Sequence, residues 1–349
     1  MLRQVIAAGL MMVTSASIVP CVSAATQDEA NAPIELLGKR IEPGTTAKRP
    51  LPLGESYAGD VLTTPVLVAH GAQAGPTVCL SAAIHGDELN GIEVVRRTLH
   101  GVDVKALRGT LIGVPVVNLL AFTRGARETP DRRDLNRYFP GRPDGSFADR
   151  IANALWTQVV TPHCDYLVDF HTGSFNRSNL PQLRANLDDK RVRRFVSLFG
   201  DVPVMFKRGN SRMLRRVATE AGIPAVSFEF GEATTVQTPY IEQAEQALHQ
   251  ALVNLDMLAG EKRRVTPRVY RKSFWIRTEH GGIFISRKQN GDEVAAGEII
   301  GVIANPLTEE EKPIRCEVAA RILGLASNQF VLPGYGVFHM GVEEPAGTP

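Results

Sequence analysis

The run Val78-Cys79-Leu80-Ser81-Ala82-Ala83-Ile84-His85-Gly86-Asp87-Glu88-Leu89-Asn90-Gly91 decides the fold. Val78 to Ile84 is almost continuously apolar, the pattern of a strand covered on both faces. His85 and Glu88 follow, three residues apart, so one tight turn can present an imidazole and a carboxylate to the same point. Gly86 lets the backbone bend there without a Cβ clash. Gly91 to Leu99 then has the spacing of an amphipathic helix. A strand, a polar turn and a helix in succession form the basic unit of an α/β domain.

The same alternation continues on either side. Val66 to Val68, Thr110 to Val117, Tyr166 to Phe170, Val202 to Phe206 and Ala225 to Phe230 are expected strands. Asp149 to Val160, Lys190 to Phe199, Arg212 to Ala221 and Thr238 to Ala259 are expected helices. The fold class is therefore α/β, with a mixed, mostly parallel sheet flanked by helices. Ligands of such sheets bind beyond the carboxyl ends of the strands, and His85, His171 and Glu229 fall at or near such ends. A basic linker from Glu261 to Arg271 precedes a change of pattern. After it, short strands between glycine turns (274–276, 282–285, 299–303, 315–318, 336–338) indicate a small all-β unit. The expected organisation is a signal peptide over 1–24, a catalytic domain over 33–262 and a small β-rich domain over 263–349.

With 349 residues, 44% hydrophobic and 22% charged, the chain has an ordinary globular composition. Its net charge of +2 and the lack of a basic, aromatic-interleaved stripe argue against a nucleic acid partner. Arg3, the apolar stretch Val5 to Val19 and the small residues Val22-Ser23-Ala24 read as a Sec-type secretory signal, which implies a periplasmic or secreted bacterial protein. No segment has the length of a membrane span. Lipid anchoring at Cys21 is disfavoured, because Ile18-Val19-Pro20 is a poor lipobox. Cys79, Cys164 and Cys316 remain after cleavage, with no C-x-x-C pair. Cys79 and Cys164 are expected to be buried small hydrophobes, and a bridge between them is the minor alternative.

Tyr166-Leu167-Val168-Asp169-Phe170-His171 is a second apolar strand ending in a histidine. His85, Glu88 and His171 together suffice to hold one catalytic zinc per chain and leave a coordination position open, whereas a closed structural site would need a fourth ligand. The cation-rich stretch from Arg124 to Gly141 contains Asn136-Arg137, in which the guanidinium fork suits a substrate carboxylate. A second arginine there can stabilise an oxyanion. Glu229, a carboxylate on an otherwise apolar strand, has the character of a general base acting on water.

Four motifs in order, His85-Gly86-Asp87-Glu88-Leu89-Asn90-Gly91, Asp134-Leu135-Asn136-Arg137-Tyr138-Phe139-Pro140-Gly141, Asp169-Phe170-His171-Thr172-Gly173 and Phe228-Glu229-Phe230-Gly231, resemble the succinylglutamate desuccinylase/aspartoacylase family of the zinc carboxypeptidase (M14-like) superfamily. The resemblance spans roughly residues 33 to 343 and implies a zinc carboxypeptidase-like fold. It also implies zinc on His85, Glu88 and His171, Glu229 as general acid/base, and Asn136 and Arg137 on the substrate carboxylate. Arg127 best matches the family's carbonyl-polarising arginine, and Arg124 is the second candidate. The expected activity is hydrolysis of an amide in a small carboxylate-bearing substrate such as an N-acyl amino acid. The competing readings are a periplasmic carboxypeptidase or amidase acting on cell-wall or other short peptides, an ester hydrolase, and a non-catalytic zinc-dependent binding protein. Assembly into a homo-oligomer is left open.

Overall fold

The computed structural model describes residues 29–56 and 58–343. The expected signal peptide and Cys21 lie outside them. In chain order the elements that build the site are β1 (Thr45–Glu55), β2 (Val61–His70), β3 (Gln73–Ser81), α1 (Asn90–Gly101), β4 (Arg108–Val114), α2 (Phe147–Leu155), β5 (Tyr166–Gly173), β6 (Arg177–Ala185), α3 (Lys190–Val196), β7 (Val204–Phe206), α4 (Leu214–Glu220), β8 (Ala225–Glu232) and α5 (Thr238–Asn254). The C-terminal part adds β9 (Lys272–Arg277), β10 (Gly282–Ser286), β11 (Glu298–Ala304), β12 (Glu311–Cys316), β13 (Ala320–Ala326), β14 (Phe330–Val331) and β15 (Gly336–Val342).

One large sheet runs in the order β9-β15-β13-β6-β8-β5-β3-β4-β2-β1. Its centre, β8-β5-β3-β4, is parallel, and both flanks are antiparallel. The fold is thus mixed α/β with helices on both faces. Strand alternation sets the two faces. Val168 and Phe170 of β5 and Val226, Phe228 and Phe230 of β8 enter one core with apolar residues of α1, α3 and α5. Burying each phenylalanine stabilises the fold by about 1.5–3 kcal/mol. On the other face, the parallel register pairs Ser227 with Asp169 and Glu229 with His171, so these four side chains share the cleft side. Beyond them, α2 and α4 close a second core. Gly91 sits so close to β5 that a Cβ there would stand 2.5 Å from the Phe170 Cβ.

The structure departs from the sequence expectations in several places. Strand β6 was not expected. Its sequence, Arg-Ser-Asn-Leu-Pro-Gln-Leu-Arg-Ala, is polar and carries Pro181, which argues against a strand. The register against β8 shifts between Gln182 and Asn179, and an irregularity of this kind is where a sheet tolerates proline. Strand β13 was also unexpected. The helix expected over 149–160 is present and longer, running as α2, a wide π-helical turn over Trp156–Val160 and a last turn over Thr161–His163, and α5 stops at Asn254. Three C-terminal strands, β9, β13 and β15, continue the large sheet through the β13–β6 pairing, while β12-β11-β10-β14 form a separate four-stranded sheet. The preference for two unbridged cysteines is corrected. Cys79 and Cys164 form a disulfide with Cα atoms 5.6 Å apart, because β3 and β5 are adjacent and pair Cys79 with Leu167. Among the described residues, no helix is long and apolar enough to cross a membrane.

Candidate metal centre and active-site cleft

His85 and Glu88 lie in the loop that leaves β3, and His171 lies near the carboxyl end of the neighbouring β5. The loop is held tightly, since a Cβ on Gly86 would stand 2.1 Å from the Phe122 nitrogen. Glycine is required at this position by the close approach of the 121–122 backbone. The three side chains converge, and one ligand atom from each lies within 4.8 Å of the others, all of them buried. Glu88 is the hub. Its Oε1 is 2.8 Å from His85 Nδ1 and its Oε2 is 2.8 Å from His171 Nδ1. It also accepts hydrogen bonds from the Thr172 backbone N–H, the Ser174 hydroxyl and Arg127 Nη1.

Each imidazole carries a second carboxylate behind it. His85 Nε2 lies 3.0 Å from Asp134 Oδ1. His171 Nε2 lies 2.8 Å from Asp169 Oδ2, and the other oxygen of Asp169 accepts the Ser81 hydroxyl. With a metal bound, Nε2–H donation to these carboxylates would turn both Nδ1 lone pairs toward it, the arrangement that orients metal-binding histidines. Burial disfavours charge throughout the cluster, yet mutual attraction outweighs it. Asp169 and Glu88 hold His171 well above the ordinary histidine range, and the two histidines hold Glu88 well below the ordinary carboxylate range. His85 is raised by Glu88 and Asp134. Three carboxylates, Glu88, Asp134 and Asp169, surround the two imidazoles. A borderline divalent cation suits this N/O donor set.

A cleft of about 510 Å³ opens over this cluster, and Arg127, Asn136, Arg137 and Glu229 line it with the three convergent residues. Arg127 bridges Glu88 and Asp134 at 3.1 and 3.0 Å and donates to Ser174 Oγ. Asn136 is fixed by the Leu214 backbone N–H bonding its Oδ1 at 2.9 Å. Arg137 is anchored to the Asn136 carbonyl at 2.8 Å and lies 3.8 Å from Asp134, with its side chain 42% exposed toward the cleft. Glu229 accepts from Asn179 Nδ2 at 2.9 Å and pairs with Arg184 Nη1 at 3.0 Å. Arg124 is not brought to the cleft. It caps the short helix Leu119–Thr123 and is exposed, and the turn at Gly125 brings Arg127 inward in its place.

Sequence reasoning gave no role to Asp134 or Asp169. Asp169 was legible, since it stands two residues before His171 and therefore on the same strand face. Arg184, Lys207, Trp275 and His339 also line the cleft and were not anticipated, because they come from an unrecognised strand, a short strand end and the C-terminal region.

Residues 74–255 match the family described as the succinylglutamate desuccinylase/aspartoacylase catalytic domain. The chain is 29% identical over 266 residues to the N-alpha-acetyl-L-2,4-diaminobutyric acid deacetylase of Halomonas elongata, covering 72% of this chain and 77% of that protein. A crystal structure of a succinylglutamate desuccinylase from Silicibacter sp. TM1040 superposes with a TM-score of 0.75 at 24% identity, over 91% of this chain and 100% of the other. The product-bound ectoine utilization protein EutE (DoeB) of Ruegeria pomeroyi gives a TM-score of 0.73 at 26% identity, over 85% and 95%.

Proposed function

Because the chain belongs to the succinylglutamate desuccinylase/aspartoacylase family, whose relatives include an N-acyl amino acid deacetylase, we propose that it is a zinc-dependent amidohydrolase that deacylates N-acyl amino acids. The observation that carries this reading is the convergence of His85, Glu88 and His171 within 4.8 Å, floored by Asp134 and Asp169 and open to the cleft. These three residues would hold the metal. When bound, zinc supplies Lewis acidity, lowering the pKa of water and polarising the scissile carbonyl.

The chain's own groups divide the remaining work. Glu229 takes a proton from the attacking water at its carboxylate and returns it to the departing nitrogen. Asn179 and Arg184 fix the orientation of that carboxylate. Arg127 presents a guanidinium to the developing oxyanion. Asn136 and Arg137 hold the α-carboxylate of the amino acid, and this positioning converts an encounter into a bound, aligned substrate. The disulfide between Cys79 and Cys164 supports a periplasmic or secreted location, since such bonds persist in oxidising compartments.

The test combines metal analysis of the purified protein with rates on a panel of N-acyl amino acids. Glu229→Gln is expected to retain stoichiometric zinc and lose about 10²–10⁴-fold in kcat. Near-normal turnover by that variant would remove Glu229 from its role, and a protein that binds no divalent metal would overturn the mechanism.

A further inference from the structure

The connection between β5 and β6 carries a side chain that the mechanism leaves unused. Phe175 lines the cleft and is 67% exposed, the one exposed large apolar side chain there among the described residues. The other apolar side chains of the lining are already engaged. Met205 is buried, and the Met213 sulfur lies 3.7 Å from Arg215 Nη2. Trp275 is covered by the Arg177 guanidinium at 4.8 Å and by the His339 ring stacked on it at 4.7 Å. Phe175 alone keeps a broad apolar surface in water, and so forgoes the stabilisation that burial would bring.

A single exposed ring is ordinary, but the backbone that presents it is not. Phe175 and Asn176 both stand in the left-handed region, at φ 55°. A bulky side chain rarely adopts that conformation, which persists where the surroundings over-determine it, most often at binding sites. Here the C-terminal region does so. The Tyr335 hydroxyl donates to the Phe175 carbonyl at 2.8 Å, and the Ser327 backbone N–H donates to the Asn176 carbonyl at 2.9 Å. These bonds hold the ring at the rim of the cleft. Its neighbour there is Arg127, whose guanidinium carbon lies 5.5 Å from the ring centre and which also donates to the adjacent Ser174 hydroxyl.

In the mechanism above, Arg127 meets the oxyanion and Glu229 meets the departing nitrogen. The third group on the reacting carbon is the acyl chain. It starts beside the oxyanion, and so beside Arg127 and the ring that lies against it. We propose that Phe175 is a specificity-determining residue that packs on this chain, so that the enzyme favours N-acyl groups with an extended apolar chain over N-acetyl groups. The inference rests on the deacylase reading and names the acyl half of its substrate.

The test has two arms. The first needs no turnover and measures binding of acetohydroxamate and hexanohydroxamate to the zinc-loaded protein by calorimetry. Both chelate through the same pair of oxygens and differ only in the chain. Covering even two of the four added methylenes is worth about tenfold in affinity, so hexanohydroxamate is expected to bind at least about tenfold more tightly. Phe175→Ala is expected to remove most of that ratio, and Phe175→Leu to keep most of it. The second arm compares kcat/KM for the N-acetyl and N-hexanoyl derivatives of the L-amino acid that is best turned over as its N-acetyl form, and the same ratio should move in the same direction. Equal affinities in the wild type, a ratio that survives Phe175→Ala, or a variant that weakens both hydroxamates alike overturns the proposal. Chain discrimination that depends on Phe175, with no turnover of any N-acyl amino acid, would sink the deacylase reading and leave the apolar contact standing.

Discussion

Replacing Asp169 with asparagine tests the metal centre through a residue that touches no substrate. Asp169 is fully buried, with one carboxylate oxygen 2.8 Å from His171 Nε2 and the other bonded to Ser81. Asparagine has the same shape, and its amide oxygen can still accept from the imidazole while Ser81 reorients, so packing should survive. The negative charge is lost. That charge makes His171 a stronger donor and fixes its ring, and outer-shell partners of this kind are worth about 10- to 100-fold in metal affinity, or about 1.4–2.8 kcal/mol. The assay is competition for zinc against a chromophoric chelator, with the thermal unfolding of the zinc-free protein as a control for folding. The expected result is a zinc Kd raised 10- to 100-fold with an unfolding midpoint within a few degrees of wild type. An unchanged Kd in a folded Asp169→Asn protein would refute the assignment of His171 as a metal ligand supported by Asp169.

Three other outcomes follow from the same structure. Reducing the disulfide, or replacing Cys79 and Cys164 together by alanine, releases an 85-residue separation and should cost about 2–4 kcal/mol in urea unfolding; an unchanged midpoint would mean that the bond contributes nothing. Gly86→Ala would force a Cβ to 2.1 Å from the Phe122 nitrogen, so the loop must move; stability should fall by about 2 kcal/mol or more, and zinc should be lost with it. Burial of His339 among cations holds its folded-state pKa at about 3, below the ordinary value of 6.5. The unfolded chain therefore takes up a proton that the folded chain refuses, and stability contributed above pH 6.5 is lost as pH falls from about 6.5 toward 3, by up to about 1.4 kcal/mol per pH unit. His339→Asn should flatten the stability–pH curve in that window, and parallel curves for the two proteins would contradict the burial.

Much of this molecule was legible in the chain. The apolar runs ending in His85 and His171 announced buried parallel strands, and the pattern Val226-Ser227-Phe228-Glu229-Phe230 announced a face where two polar groups stand opposite three apolar ones. Strand β6 was hidden because its polar sequence and Pro181 have no apolar periodicity; it is a strand only because β8 and β13 hydrogen-bond to either side of it. Arg124 and Arg127 could not be separated by type, since three residues of irregular backbone decide which one faces the cleft. The pairing of Cys79 with Cys164 depends on two strands 85 residues apart lying side by side.

By itself the sequence determined which residues can bind a metal, move a proton or grip a carboxylate, because local periodicity fixes strand faces and side-chain chemistry travels with the residue. Only the tertiary structure decided which carboxylates stand behind the two histidines, and how β6 and the C-terminal strands bring Arg184, Lys207 and His339 to one wall. Those contacts join segments remote in the chain, and no short-range pattern encodes a distance that the packing of the whole sheet sets.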